Sequence, residues 1–424
     1  MMYNTDIQNG ATFEDIYNMS LLSENGEYYS WKDLKYRVND SDPKKVWNIL
    51  KFARSLSSIH LLYDELDLFY VQTPEITREL HLCDQNLSKI ISLGKKSADS
   101  LQEYISQAIS EEAIFSSRLE GASTTESAAK NMLRKNIAPK NKDERMIVNN
   151  HLAMQFIRTK KDVKLTPEFI CEIQKIVTID TLKSESQSGV FRNTDDVIVV
   201  DNRTGKLIHS PPKAEKIPEL IQSLCDFVNH DFIDDDEFVH PLITAIALHF
   251  LIGYIHPFYD GNGRTARTLF YWYVLSKGYE IFQYLPISKI ITQSPAKYRD
   301  AYIATEEDDF DLTYFILYII RCIRKSRKGL IEHLESENQK KASVENVIAS
   351  LDDLNNRQER VLLYMIEHHN EEITIPEISG QFGVAYQTAR TDLIHLTDAK
   401  YLIMRKRSRE FVYSINPEWM KKIQ

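Results

Sequence analysis

The stretch His256-Pro257-Phe258-Tyr259-Asp260-Gly261-Asn262-Gly263-Arg264-Thr265-Ala266-Arg267 decides the fold. Before it, Pro241 to Ile255 is almost wholly apolar and predicts a buried helix, with His249 inside it. After it, Gly263 to Lys277 predicts a second helix, stopped by Gly278. The loop between them has unusual chemistry. Two glycines flank Asn262, so the backbone can turn tightly and aim several N–H groups at one point. The following helix adds the positive end of its dipole, and the result is an anion pocket. Arg264 and Arg267 lie one helical turn apart, and guanidinium groups suit phosphate oxygens. Asp260 is a carboxylate of the kind that holds phosphate-bound magnesium. His256, with a reference pKa near ~6.5, suits proton abstraction at neutral pH. Phe258 is expected to point inward and anchor the loop.

Two familiar loops fail on these letters. A calcium loop of the EF-hand type needs glycine at its sixth position, where Thr265 stands, and Arg264 takes a ligand position. A P-loop needs lysine after its last glycine and another glycine five residues earlier, where Arg264 and Phe258 stand.

The string resembles the signature of the Fic family, H-P-F-x-[DE]-G-N-G-R-x-x-R, at every specified position. The likeness extends outward. Gly189-Val-Phe-Arg192 resembles the family's segment before its target-binding flap. A β-branched run Asp196–Val200, turn chemistry over Asp201–Gly205 and a short piece Lys206–His209 predict a β-hairpin, followed by Pro211-Pro212. This hairpin is similar to the flap. The resemblance implies a mainly α chain, with a helical Fic core carrying the hairpin flap. It also implies transfer of AMP from ATP to Ser, Thr or Tyr of a target protein. His256 would be the general base, and Asp260 would hold Mg2+ (or Mn2+). Gly261, Asn262 and Gly263 would cradle the phosphates, and Arg264 and Arg267 would neutralise the β and γ groups. The target segment would dock along the 196–210 flap by backbone pairing.

Upstream, Ser116-Ser117-Arg118-Leu119-Glu120-Gly121 resembles the family's inhibitory motif, [ST]-x-x-x-E-[GN]. The likeness implies that Glu120, presented with Ser116 from an N-terminal helix, forms a bidentate salt bridge with Arg267. That bridge would keep the γ-phosphate of ATP out of its productive place. In some relatives the equivalent glutamate also positions water for removal of AMP, and for this chain that remains an open alternative.

The rest of the chain is read around this core. Helical spacing is expected from Ala98 to about Lys135, over Arg145–Lys160, over Thr166–Leu182 and from Pro218 to about His230. Residues 1–97 look mainly helical, 98–324 form the core with its inhibitory helix, and 325–355 are an exposed helix or linker. Residues 356–424 resemble a winged helix-turn-helix. Its helices are expected over Glu359–Glu367, Ile375–Phe382 and Ala385–Leu396. Two short strands, Leu402–Met404 and Phe411–Tyr413, are expected around a basic turn Arg405–Arg409. Tyr386, Gln387, Thr388, Arg390 and Thr391 would line the exposed helix, which makes DNA a candidate partner. A homodimer is another candidate. The rival functional class is a DNA-binding regulator whose core only senses nucleotide, and the intact His256 argues against it.

Bulk properties are those of an ordinary globular protein. The 424 residues suggest two or three domains, and 43% hydrophobic residues give ample core. A net charge of −9 excludes a surface built throughout to wrap nucleic acid. Cys83, Cys171, Cys225 and Cys322 form no C-x-x-C pair, which speaks against a zinc site or disulfide framework and fits a reducing cytoplasm. No secretory pattern is read in Met1–Asp6, and no membrane partner is expected.

Overall fold

The computed structural model describes residues 27–37, 42–63, 65–94, 98–200, 205, 207–230, 238–368, 371–407 and 410–423. The reading of Met1–Asp6 and most of the turn over Asp201–Gly205 lie outside these residues, as does Lys206. The chain divides into two units, Met1–Leu330 and Ile331–Gln424.

In the first unit, α1 (Pro43–Ser55) and the short hairpin β1 (Ser58–His60) and β2 (Phe69–Val71) precede α2 (Pro74–Gly94). Helices α3 (Ala98–Leu119), α4 (Glu126–Arg134), α5 (Lys142–Arg158) and α6 (Pro167–Thr178) follow. The antiparallel pair β3 (Val199–Val200) and β4 (Leu207–His209) leads to α7 (Ile217–Asn229), α8 (Pro241–Ile255) and α9 (Asn262–Ser276). Then come α10 (Ile287–Ile291), α11 (Pro295–Glu307) and α12 (Thr313–Ala349), within which the unit boundary falls.

The core is built on α8. Every residue from Leu242 to Ile252 is buried, so this stretch has no solvent face, as its almost wholly apolar run requires. It packs against α9, buried from Arg264 to Leu275. Around them stand α3, α5 and α6. Local chemistry sets the ends: Thr166 caps α6 by accepting from the Phe169 N–H at 3.1 Å, with Pro167 as its first residue. The first half of α12 is bound to α2 by Arg321–Glu75 and by the buried Arg327–Glu79 pair, both at 2.6–2.7 Å. Among the described residues no helix is long and apolar enough to cross a membrane.

One expectation fails here in an informative way. The helical pattern read through Ala98–Lys135 is broken at Glu120–Thr125. Gly121 adopts φ +96°, the Ala122 N–H returns to the Ser117 carbonyl, and Thr125 caps a new helix at Ala128. The break releases Glu120 from the helix at the point where the site needs it.

The second unit has helices α13 (Asn356–Glu367), α14 (Ile375–Phe382), α15 (Tyr386–Asp398) and α16 (Pro417–Ile423). Its antiparallel sheet joins β5 (Ile373–Thr374), β6 (Leu402–Arg407) and β7 (Glu410–Ile415) in the order β5-β7-β6. Its core is Val361, Leu362, Ile378, Leu393, Leu396 and Tyr413 with their neighbours. The strands are longer than expected. Arg405, Lys406 and Arg407, read as turn, pair with Val412, Phe411 and Glu410.

Candidate active site

An open cavity of about 460 Å³ lies beside the loop that joins α8 and α9. Its wall includes His256, Gly263, Arg267 and Glu120, with Val199, Val200 and Ile208 from the flap, and Tyr298, Arg299, Tyr302 and Glu306 from α11.

His256 ends α8 in the left-handed region, at φ 49° and ψ 58°. Glycine usually takes that place, and for another residue the conformation costs about 1–3 kcal/mol. Its ring Nδ1 faces the Gly253 carbonyl at 3.2 Å. A carbonyl only accepts, so Nδ1 carries the proton and Nε2 keeps its lone pair. Burial pushes the imidazole pKa down to about 4 against the opposing pull of the Gly253 carbonyl and Glu120. Below the loop, Phe258 is fully buried against Phe191, as its apolar ring requires.

Gly261 begins α9 at φ +86°, and a Cβ there would lie 2.7 Å from Thr178 Cγ2. Both the dihedral and the space demand glycine. Gly263 stands at the other close approach. A Cβ on it would overlap the Glu120 carboxylate, which therefore sits directly over the first turn of α9. The first N–H groups of a helix have no intrahelical acceptor, so an acidic side chain is well placed there.

Glu120 Oε1 accepts from Arg267 Nη2 at 2.7 Å. Burial alone would raise the Glu120 pKa, but the Arg267 charge and hydrogen bond, with Arg264 and His256, hold it below the usual carboxylate range. The pairing uses one carboxylate oxygen, where a bidentate bridge was expected. Arg267 Nε donates to Ser116 Oγ at 2.8 Å, and Nη2 also donates to the Ser116 carbonyl at 3.0 Å, so Ser116 takes the Nε–Nη2 edge of the guanidinium.

Gly261, Asn262 and Arg264 are buried behind the cavity wall. Arg264 is 1% exposed, and its guanidinium donates to the Val177 carbonyl and to Asp260 Oδ1. Asn262 is buried and closes the loop on itself. Its Oδ1 accepts from the Phe258 N–H and its Nδ2 donates to the Phe258 carbonyl, at 2.9 and 2.8 Å. Asp260 Oδ1 also accepts from the Gly261 N–H at 2.6 Å. Gln174 Nε2 holds the Asp260 carbonyl at 3.1 Å. Thus His256, Gly263, Arg267 and Glu120 meet in the cavity, whereas the buried Gly261, Asn262 and Arg264 shape the loop from behind and Asp260 is half exposed.

Four wall residues carry no sequence signal of their own. Tyr298 Oη is bonded to His249 Nε2 at 2.8 Å, and Tyr302 Oη donates to the His249 carbonyl at 3.2 Å. Burial drives the His249 pKa down to about 3, so it stays a neutral partner. His209, at the end of β4, contacts Glu306 Oε2 and the Tyr254 carbonyl, both at 2.7 Å.

Comparison with known proteins places this site in context. Residues 164–274 match the model of the Fic/DOC family, and residues 328–423 match that of the Firmicute plasmid replication protein (RepL). The chain is similar to the protein adenylyltransferase Fic of Nematostella vectensis, at 25% identity over 249 residues. That match covers 57% of this chain and 53% of that protein. It is similar to the namesake of Drosophila willistoni at 26% over 215 residues, covering 49% and 39%. The chain therefore spans about half the length, or less, of these curated relatives. A Fic family protein from Desulfovibrio desulfuricans G20 shares the fold with a TM-score of 0.56 at 15% identity, over 82% of this chain and 98% of that one. The chain thus has a mainly helical Fic fold.

Proposed function

We propose that this chain transfers AMP from ATP to a Ser, Thr or Tyr hydroxyl of another protein, and that Glu120 holds the site in check. One observation carries the reading: the cavity joins a histidine with a free Nε2 to the open first turn of α9 and to Arg267, with a carboxylate seated on both. Such a turn is an anion site, and Glu120 there stands in the place of a phosphate. The similarity to protein adenylyltransferases supports the same reading.

The target hydroxyl oxygen bonds to the α-phosphorus, while the bond from that phosphorus to the bridging oxygen of the β-phosphate breaks. The hydroxyl proton passes to His256 Nε2, and pyrophosphate leaves. Arg267, once released by Glu120, offsets charge on the terminal phosphates. Gly263 lets the phosphates approach the backbone of α9, and Gly261, Asn262 and Arg264 hold the turn that presents it. The target segment lies along the flap, where Val200 and Leu207 are exposed beside the cavity.

Among the described residues no group of three or more His, Cys, Asp or Glu is placed to hold a metal ion. The site suits Mg2+ (or Mn2+) brought with the nucleotide, which needs only one or two carboxylates and water. Asp260 fits, since its side chain is 44% exposed and its second oxygen takes no hydrogen bond among the described residues. When bound, the ion would be held by Asp260 and would offset phosphate charge.

The test follows the label. Glu120→Gly protein with magnesium is expected to become labelled from ATP carrying its label on the α-phosphate, and to stay unlabelled from the γ-phosphate. Label from the γ position would replace AMP transfer with phosphate transfer.

A second activity is proposed for the second unit. Tyr386, Gln387 and Arg390 on α15 and Arg405–Arg407 on β6 are exposed, a polar helix beside a basic strand, and this supports duplex DNA binding in a winged-helix manner. The match to a plasmid replication protein supports it too. The full chain is expected to shift duplex DNA in a gel at low salt and to lose the shift as salt rises. No shift at low salt would sink this reading.

A further inference from the structure

This inference rests on the function proposed above. The backbone at His256 is left-handed, immediately before a proline, at the end of a buried helix. The last carbonyls of a helix have no intrahelical donors, and here no glycine relaxes the turn. The Gly253 and Tyr254 carbonyls face the His256 and His209 rings, and Arg192 supplies donors from Ile255 onward. The Arg192 N–H donates to the Pro257 carbonyl at 2.8 Å. Its Nε donates to the His256 carbonyl at 2.9 Å, and its Nη2 reaches the Ile255 carbonyl at 3.5 Å. Three successive carbonyls are thus held from one side chain and its own backbone.

The remaining donors go elsewhere. Arg192 Nη1 donates to the Thr194 carbonyl at 2.9 Å, and Nη2 also donates to the Pro212 carbonyl. Thr194 precedes β3 and Pro212 follows β4, so these are the two feet of the flap. The side chain is 1% exposed, and the nearest carboxylate, Asp195, lies 3.7 Å away. The hydrogen bonds of the group go to backbone carbonyls, and Asp195 adds a longer ion-pair contact. A planar fork with five donors can do this, whereas the three donors of a lysine ammonium radiate from one atom.

We propose that Arg192 is the positioning residue that fixes the His256 backbone, and thereby its ring, in register with the flap that presents the target hydroxyl. The triphosphate side of the cavity is held by other contacts, namely Ser116 on Arg267 and the first turn of α9. Loss of Arg192 therefore acts on turnover and spares nucleotide binding.

The test uses the full chain carrying Glu120→Gly, with Arg192→Gln or Arg192→Lys added. Label transfer gives kcat, and calorimetry with ATP and magnesium gives the nucleotide affinity. Arg192→Gln is expected to lower kcat about 100-fold, the usual cost of misplacing a reacting group by about 1 Å. ATP affinity should stay within about threefold, since uniform binding is untouched. Arg192→Lys should fall between the two. Retention of the parent kcat, or a parallel loss of ATP affinity, overturns the proposal. If Arg192→Gln does not fold, Arg192→Lys decides alone, and a full rate there overturns it. The parent protein separates the two ideas, because its failure to transfer AMP from ATP overturns the function and not the positioning. In that event the His256 Cα and Cβ chemical shifts serve instead: they leave the left-handed range in the Arg192 variants if the proposal holds and remain there if it fails.

Discussion

Glu120→Gly protein is expected to transfer AMP on the order of 100 times faster than the unaltered chain at saturating ATP. The magnitude comes from the contact that must break. Glu120 gives Arg267 one charge-assisted hydrogen bond at 2.7 Å, in a partly buried setting. Such bonds contribute about 1.5–3 kcal/mol, which is roughly 10- to 150-fold in rate if ATP must displace them before reaction. The carboxylate also fills the space over Gly263 where phosphate would approach α9. Two features say that the gain is not lost to disorder. Arg267 remains tied to Ser116 Oγ and to the Ser116 carbonyl, so it stays at the cavity when its acidic partner is removed. Glycine at position 120 adjoins a turn that Gly121 and Thr125 already define, so the helix end should persist. Rates of label incorporation for the two proteins, measured side by side, decide the matter. Equal rates would mean that Glu120 does not restrain the reaction.

The parts of this site that could be read from the sequence are those whose partners are neighbours along the chain. The loop from His256 to Arg267 spells out its own turn, its helix start and its basic residues within twelve positions. The apolar run itself marked α8, because a helix buried on every side is apolar at nearly every position. What it could not find was direction. Arg264 and Arg267 are three residues apart, yet Arg264 turns beneath the loop to the Val177 carbonyl while Arg267 turns toward Ser116. That choice belongs to α6 and α3, which are distant in sequence. The α11 tyrosines enter the cavity for the same kind of reason. Tyr298 and Tyr302 are held by His249, about 50 positions earlier, and no local pattern marks them as wall residues. The break at Glu120–Thr125 is a different case. The expectation of helix across Ala98–Lys135 rested on apolar spacing, which runs through the turn that Gly121 and the Thr125 cap make. The short turn bends the chain without ending the amphipathic pattern, so spacing was the weaker guide there.

The second large effect is expected at His256. In the Glu120→Gly protein, adding His256→Ala should reduce AMP transfer on the order of a thousandfold, within the range that general-base catalysis supplies. ATP affinity should be nearly unchanged, because the anion-holding groups are Arg267 and the first turn of α9, not the imidazole. A comparable loss of ATP affinity would instead make His256 a binding residue. The pH dependence sharpens the distinction. A base must be neutral to accept a proton, and burial holds the His256 pKa down to about 4. As pH falls, kcat/KM of the Glu120→Gly protein should therefore stay level through neutrality and decline only near or below 4, because loss of the Glu120 charge removes one upward pull and that ratio reports the free enzyme. The kcat profile should decline at a higher pH. A bound triphosphate brings negative charge toward the ring, which favours the imidazolium and raises its pKa in the complex. The acid limb should thus shift upward between the two profiles and vanish in His256→Ala. A limb near pH 6.5 in kcat/KM would describe a solvated histidine, and a limb that survives His256→Ala would belong to some other group.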